Sequence, residues 1–229
     1  MLNNVEMAKG SARYLSELMG EEVGIINNMT HGLGKDVREY SSPLGTKDVL
    51  TAYEYEKISK TEGRHLVLMH SAGNEDGYKA LKILDLEKRN LEGKVDFMSV
   101  GSPRSKKDLE GIAEKVGGKL IGQYNDIRDP VPNLMTHSAA VLSFSVATTL
   151  LGTATGLALA PPTGGTSAGI VFSGFIGAGV GAGVGGSVGL KLINTYHSFD
   201  KYLDNNIKEV DTKQGIKEAL KNWKEKNKR

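Results

Sequence analysis

Leu66-Val67-Leu68-Met69-His70-Ser71-Ala72-Gly73 is the stretch on which the reading of this chain turns. The apolar run Leu66-Val67-Leu68 reads as a buried strand and a helix-like stretch follows Gly73, so Ser71 falls on a strand-to-helix turn. A serine hydroxyl is a weak nucleophile unless such a turn exposes it to a histidine, with backbone N–H groups nearby to take an oxyanion. Gly73, two residues after the serine, stands where the helix is expected to pass close to the strand. Met69 stands two residues before it, where the G-x-S-x-G pattern has a small residue. The blander reading makes Ser71 an ordinary N-cap of the helix that follows.

Outward from this turn, strands and helices alternate. Strands are expected at His65–Met69, Lys94–Val100 and Lys119–Tyr124. Helices are expected at Lys47–Thr61, with Val49, Leu50, Tyr53 and Ile58 among its apolar positions, and at Glu75–Leu86 and Lys106–Val116. Upstream, a helix near 5–19 leads to a strand at Glu22–Asn27 and a short helical segment after Gly34. Downstream, Ile216, Leu220 and Trp223 fall at helical spacing, which predicts a terminal helix with one buried stripe. The alternation predicts an α/β fold, a mostly parallel sheet with helices on both faces, with Ser71 at the carboxyl end of a strand where α/β sites form.

An acid and a base follow the serine in chain order. Asn125-Asp126-Ile127-Arg128-Asp129-Pro130-Val131-Pro132-Asn133-Leu134 comes after the strand Lys119–Tyr124, and Tyr196-His197-Ser198-Phe199-Asp200-Lys201-Tyr202 comes later. Serine, acid, histidine is the order of the α/β-hydrolases and differs from those of chymotrypsin and subtilisin. The interval from Ser71 to Asp129 holds about two β-α units at ~30 residues each. Asp129 is favoured because the Pro-Val-Pro after it keeps the acid on a rigid, non-helical loop; Asp126, three residues earlier, is its rival. Of the five histidines, His197 is the candidate base. His31, His65 and His70 precede the acid, and His137 follows it too closely for a strand and helix to intervene. His70 reads as a wall of the turn.

These segments resemble the class 3 (fungal-type) lipases and the lipase-like α/β-hydrolase domains of bacterial effectors and polymorphic toxins. The likeness rests on HSAG after a hydrophobic strand, RDPVPNL after a later strand and the terminal H-x-x-x-x-Y, and it covers about residues 1–137 and 191–205. It implies a Ser71–Asp129–His197 triad without cofactor or metal, with the backbone N–H of Ala72 as one oxyanion donor. In such relatives a second donor comes from a loop after the first core strand. Here Met1-Leu2-Asn3-Asn4 opens the chain ahead of a helix-like segment. Leu2 and Asn3 are therefore expected to belong to that loop, with the preceding strand missing or supplied by an upstream region.

Ser138 to Leu190 carries no charged residue, a length sufficient for two spans of roughly 20 residues each. Pro161-Pro162-Thr163-Gly164-Gly165 reads as a turn between two arms. Gly177, Gly181, Gly185 and Gly189 in the second arm, and Gly152 and Gly156 in the first, recur every four residues, a spacing that lets helices approach closely in lipid. An inserted, membrane-compatible, glycine-rich helical hairpin is expected here. A lid over the site and a buried helix pair are the competing readings. The domain division is then 1–137 with 191–229 as the hydrolase-like domain and 138–190 as the insertion.

Composition bounds the rest. The chain has 229 residues, 39% of them hydrophobic, enough for one α/β domain with a full core. A net charge of +2 gives no case for nucleic-acid binding, and zero cysteines suit a protein threaded through a secretion channel. No signal peptide is visible. The leading expectation is a serine esterase of lipase or phospholipase type, bacterial, secreted or delivered by a secretion system, acting at a membrane surface. Its expected partners are lipid and an immunity protein or an upstream delivery domain. Two alternatives stand beside it: a permeabilising protein with a degenerate hydrolase scaffold, and a soluble thioesterase or acyltransferase.

Overall fold

A strand, a helix and a second parallel strand join with a right-handed crossover almost without exception, so two such units stepping in one direction put both helices on the same face of the sheet. The computed structural model of the chain, which describes residues 4–24, 43–129, 132, 197–209 and 212–227, contains two such units. In chain order its elements are α1 (Asn4–Met19), α2 (Thr46–Ser59), β1 (His65–His70), α3 (Gly73–Leu86), β2 (Val95–Val100), α4 (Lys106–Lys115), β3 (Lys119–Tyr124), α5 (Phe199–Asp204) and α6 (Ile216–Asn227). The three strands are parallel and adjacent in the order β1-β2-β3. This is an α/β fold: a small parallel sheet with helices around it.

The two faces have separate cores. On one, Met69, Val95, Phe97 and Leu120 from the sheet meet Ala52 and Tyr55 of α2, Leu81 and Leu84 of α3, and Leu109 and Ala113 of α4. On the other, Met98, Val100 and Tyr124 meet Leu15 and Met19 of α1, Phe199, Tyr202 and Leu203 of α5, and Ile216 and Leu220 of α6. Strand alternation explains the split of β2, whose Val95 and Phe97 face one way and Met98 and Val100 the other. β3 needs an irregularity to do the same. Phe97 pairs with Leu120 but Met98 pairs with Gly122, so one extra residue of β3, Ile121, flips the parity and sends Tyr124 to the second face.

Caps and buried ion pairs fix the element ends. Ser105 Oγ accepts from the Asp108 N–H at the start of α4, and Asp48 Oδ2 accepts from the Gly45 N–H at the start of α2. Asp96, buried in β2, accepts two hydrogen bonds from Arg64 and one from Trp223 Nε1 of α6. A buried carboxylate requires such partners.

Several expectations shift. Residues 22–24 of the expected strand Glu22–Asn27 are not in a strand, and its remainder, like the helical segment after Gly34, lies outside the described residues. So do Leu2, Asn3 and the whole of 138–190. Among the described residues no helix is long and apolar enough to cross a membrane.

Candidate active site

The sequence bends sharply at Ser71 because the residues around it are held on three sides. The Ser71 N–H donates to Val100 O (3.1 Å), closing the β1–β2 ladder, and the backbone then turns with φ +56° at Ser71. A β-carbon makes that left-handed conformation unfavourable by roughly 1–2 kcal/mol, so it persists only where the surroundings impose it. Asn74 imposes it here. Fully buried in the first turn of α3, its amide Nδ2 donates to both Ser71 O (3.1 Å) and Val100 O (3.0 Å), while its Oδ1 accepts from Ser99 Oγ (2.7 Å). The backbone N–H of Asn74 also donates to Ser71 O (3.0 Å).

Ser71 is therefore the apex of a tied turn. It does not cap α3, whose N-cap is Ala72, with no side-chain cap bond. Ala72 and Gly73 lead the helix, and neither of their backbone N–H groups meets a backbone carbonyl of the described residues. Such leading donors, at the positive end of the helix dipole, are the groups that bind anions.

The room that the G-x-S-x-G pattern gains from a small residue at position 69 comes from elsewhere. Met69 is buried, and a β-carbon on Gly77 of α3 would lie 2.3 Å from its Sδ. The large and small partners are exchanged between strand and helix. A β-carbon on Gly73, by contrast, would meet nothing within 4 Å. The close approach expected at Gly73 is thus corrected to Gly77, one turn further along α3.

Three residues from distant parts of the chain form one hydrogen-bonded chain. His197 Nε2 lies 2.6 Å from Ser71 Oγ, and His197 Nδ1 lies 2.7 Å from Asp129 Oδ2. Carboxylate oxygens only accept, so Nδ1 carries the proton and Nε2 is the acceptor for the serine hydroxyl. Asp129 is completely buried. Its Oδ2 also accepts from the hydroxyl of Tyr202 (2.6 Å), which in turn accepts from the Asp126 N–H (3.2 Å). Burial, then the neighbouring Asp129 charge, pushes the Tyr202 phenol well above its ordinary value, so it remains a donor.

Asp126 is occupied otherwise. Both of its oxygens accept from the Arg128 guanidinium, at 3.0 and 2.7 Å, and Oδ1 also accepts from the Arg128 N–H. Burial would raise its carboxyl, but the bonds to Arg128 prevail and hold it below the usual range. Of the two rival acids, Asp129 is the one against the histidine.

Gly101 closes the floor of the cluster. Its φ is +58° and a β-carbon there would stand 3.3 Å from the Tyr202 hydroxyl, 3.4 Å from Asp129 Oδ2 and 3.5 Å from His197 Cε1. Both backbone and space call for glycine. Beside the turn, Glu75 is buried and accepts from Arg104 Nε and Nη2, one edge of the guanidinium (2.6–2.9 Å), while Arg104 stacks on the Tyr78 ring at 4.1 Å. Burial raises the Glu75 carboxyl, partly offset by Arg104 and Lys79.

Ser71, Asp129, His197 and Ala72 are thus brought to one place. Leu2 and Asn3, the expected second source of oxyanion donors, and His31 and His137 lie outside the described residues. His65 is at the opposite end of β1, within 2.8 Å of Thr61 Oγ1. Asn74, Gly101 and the role of Tyr202 were not singled out in the sequence. Gly101-Ser102-Pro103, turn residues directly after the strand Lys94–Val100, are a signal for the floor that the sequence carries. Among the described residues no group of three or more histidine and acidic side chains stands ready for a metal ion. No protein-family model, curated protein or solved structure matches the chain.

Proposed function

We propose that the chain is a serine hydrolase of carboxylic esters, of lipase or phospholipase type, with Ser71 as nucleophile, His197 as base and Asp129 as the acid that orients it. The observation that carries the proposal is the 2.6 Å contact between His197 Nε2 and a serine Oγ held on a left-handed strand-to-helix turn. A left-handed backbone is uncommon for serine, though Lys88, Glu92, Asn206 and Lys213 adopt it too, and Ser71 makes no side-chain cap bond to α3.

In this mechanism His197 Nε2 takes the Ser71 proton as Oγ attacks the ester carbonyl. Asp129 keeps Nδ1 protonated and steadies the imidazolium. The Ala72 N–H donates to the tetrahedral oxyanion, and the alcohol leaves with the proton from Nε2. Water then repeats the sequence on the acyl-enzyme and regenerates Ser71. Membrane lipid esters are the proposed substrates, on the strength of the sequence resemblance and the uncharged segment 138–190, and a bacterial effector or toxin module is the proposed setting.

Phospholipid vesicles test the proposal when dye release and lipid products are recorded together. Free fatty acid or lysolipid made by the wild type, and lost in Ser71→Ala, is the expected result. Dye release of equal size from both proteins, with the lipid intact, would refute the hydrolase reading and leave a permeabilising protein. Turnover of short soluble esters with no activity on vesicles would move the substrate to a soluble acyl group.

A further inference from the structure

His70 precedes the proposed nucleophile and its ring is used by nothing in the mechanism above. It is nevertheless built into the site. Its Nε2 lies 2.7 Å from the backbone oxygen of His197, and since a carbonyl only accepts, Nε2–H is the donor. The His70 and His197 rings lie 5.0 Å apart at 30°, and His70 also meets Phe199 and Tyr202 edge-on, at 5.9 and 6.2 Å. The base is thus held twice from the same strand end: by its ring through Ser71 and by its backbone through His70.

We propose that His70 is a positioning residue, whose hydrogen bond to the His197 backbone sets the distance between the base and the serine one residue away. The inference rests on the hydrolase reading and adds to it a residue that touches neither substrate nor reacting atoms. The logic is geometric. His197 arrives far along the chain from Ser71, so its place relative to the nucleophile depends on a tether between the two segments. A tether from residue 70 moves with residue 71, so base and nucleophile stay in register when the α5 side of the site shifts. A displacement of about 1 Å between reacting groups costs on the order of 10²-fold in rate. The tether also has to be uncharged, because a cation stacked on His197 would oppose imidazolium formation. Burial, and then the neighbouring His197, pushes His70 down to about 3, which keeps it neutral.

Two substitutions separate the hydrogen bond from the ring contact. His70→Phe keeps a ring and removes the donor; His70→Gln keeps an N–H donor and removes the ring. Two readouts are taken on each: the rate at which a fluorophosphonate labels Ser71, and the downfield proton resonance of the His197 Nδ1–H···Asp129 bond. With a tether, His70→Phe slows labelling by roughly 10- to 100-fold, lowers kcat with KM unchanged, and shifts or broadens the resonance, while His70→Gln restores most of all three. Equal labelling and an unchanged resonance in His70→Phe would overturn the inference while leaving the hydrolase reading intact. If wild type is never labelled, the hydrolase reading falls, and the resonance alone decides: lost in His70→Phe and present in His70→Gln supports the tether, unchanged in both refutes it. Should His70→Phe give no thermal transition, His70→Leu carries the same comparison.

Discussion

The two faces of the sheet are assembled differently. One is covered by α2, α3 and α4, all drawn from a continuous stretch, residues 46–115, that also contains β1 and β2. The other is covered by α1, α5 and α6, which come from opposite ends of the described chain. Ser71 belongs to the first assembly, at the junction of β1 and α3. His197 belongs to the second, just ahead of α5. Asp129, beyond β3, lies between them. The proposed triad therefore spans a seam. Its nucleophile is placed by local backbone geometry, its base by the docking of a distant segment.

Beside the His197 contacts to Ser71 and Asp129, several specific bonds cross the seam. His70 donates to the His197 carbonyl, Tyr202 joins Asp129 to the Asp126 backbone, and Trp223 of α6 donates to Asp96 of β2. If the seam governs activity, damage to these contacts should reduce catalysis beyond what it costs in stability. Damage within the local face should act mainly through folding.

The largest separation is expected between the two neighbouring acids. Asp129→Asn should lower kcat by on the order of 10⁴-fold, since an amide no longer fixes the histidine tautomer. Asp126→Asn, whose partner is Arg128, should change it by less than about tenfold. Steady-state kinetics on one ester substrate compares the two. Tyr202→Phe comes next. It removes a donor to a buried carboxylate and an acceptor for the Asp126 N–H, so it should cost about 1–3 kcal/mol in chemical denaturation, with a fall in kcat alongside.

Gly101→Ala should cost about 1–2 kcal/mol, from a β-carbon in the left-handed region. The same β-carbon crowds His197 and Asp129, so labelling of Ser71 should slow as well. The last comparison is the pH dependence of stability. His70 is depressed in the folded chain to about 3, against about 6.5 unfolded. Between those values the unfolded state binds the extra proton, so the stability from neutral His70 is fully present above about pH 6.5 and is lost as pH falls. Relative to His70→Gln, wild type should lose of order 1 kcal/mol per pH unit in that window. Urea melts at pH 7, 6 and 5 would read the difference.

The contrast between the faces also explains what was legible. Period-2 and period-3.6 patterns are local, and the expected strands at His65–Met69, Lys94–Val100 and Lys119–Tyr124 lie within one residue of β1, β2 and β3. The strand expected at Glu22–Asn27 has no such support at residues 22–24. Residue types pointed to Ser71, Asp129 and His197 because a triad has a chain order. The supports of the site carry no such signature. Asn74 reads as a helix-start residue until Ser99 and Val100 are beside it. Nothing near Met69 in sequence reveals that Gly77 makes its space, and the motif alone points to Gly73. Gly101 reads as a strand-end glycine, and only folding brings Tyr202, Asp129 and His197 around it.

The central claim is that Ser71 is an activated nucleophile. The most direct measurement is peptide mass spectrometry after incubation with a fluorophosphonate, on wild type, Ser71→Ala and His197→Ala. A covalent adduct on the peptide containing Ser71 in wild type, absent in Ser71→Ala and slowed by several orders of magnitude in His197→Ala, is the predicted result. An unmodified Ser71 in folded wild type, or labelling that His197→Ala leaves at the wild-type rate, would contradict it.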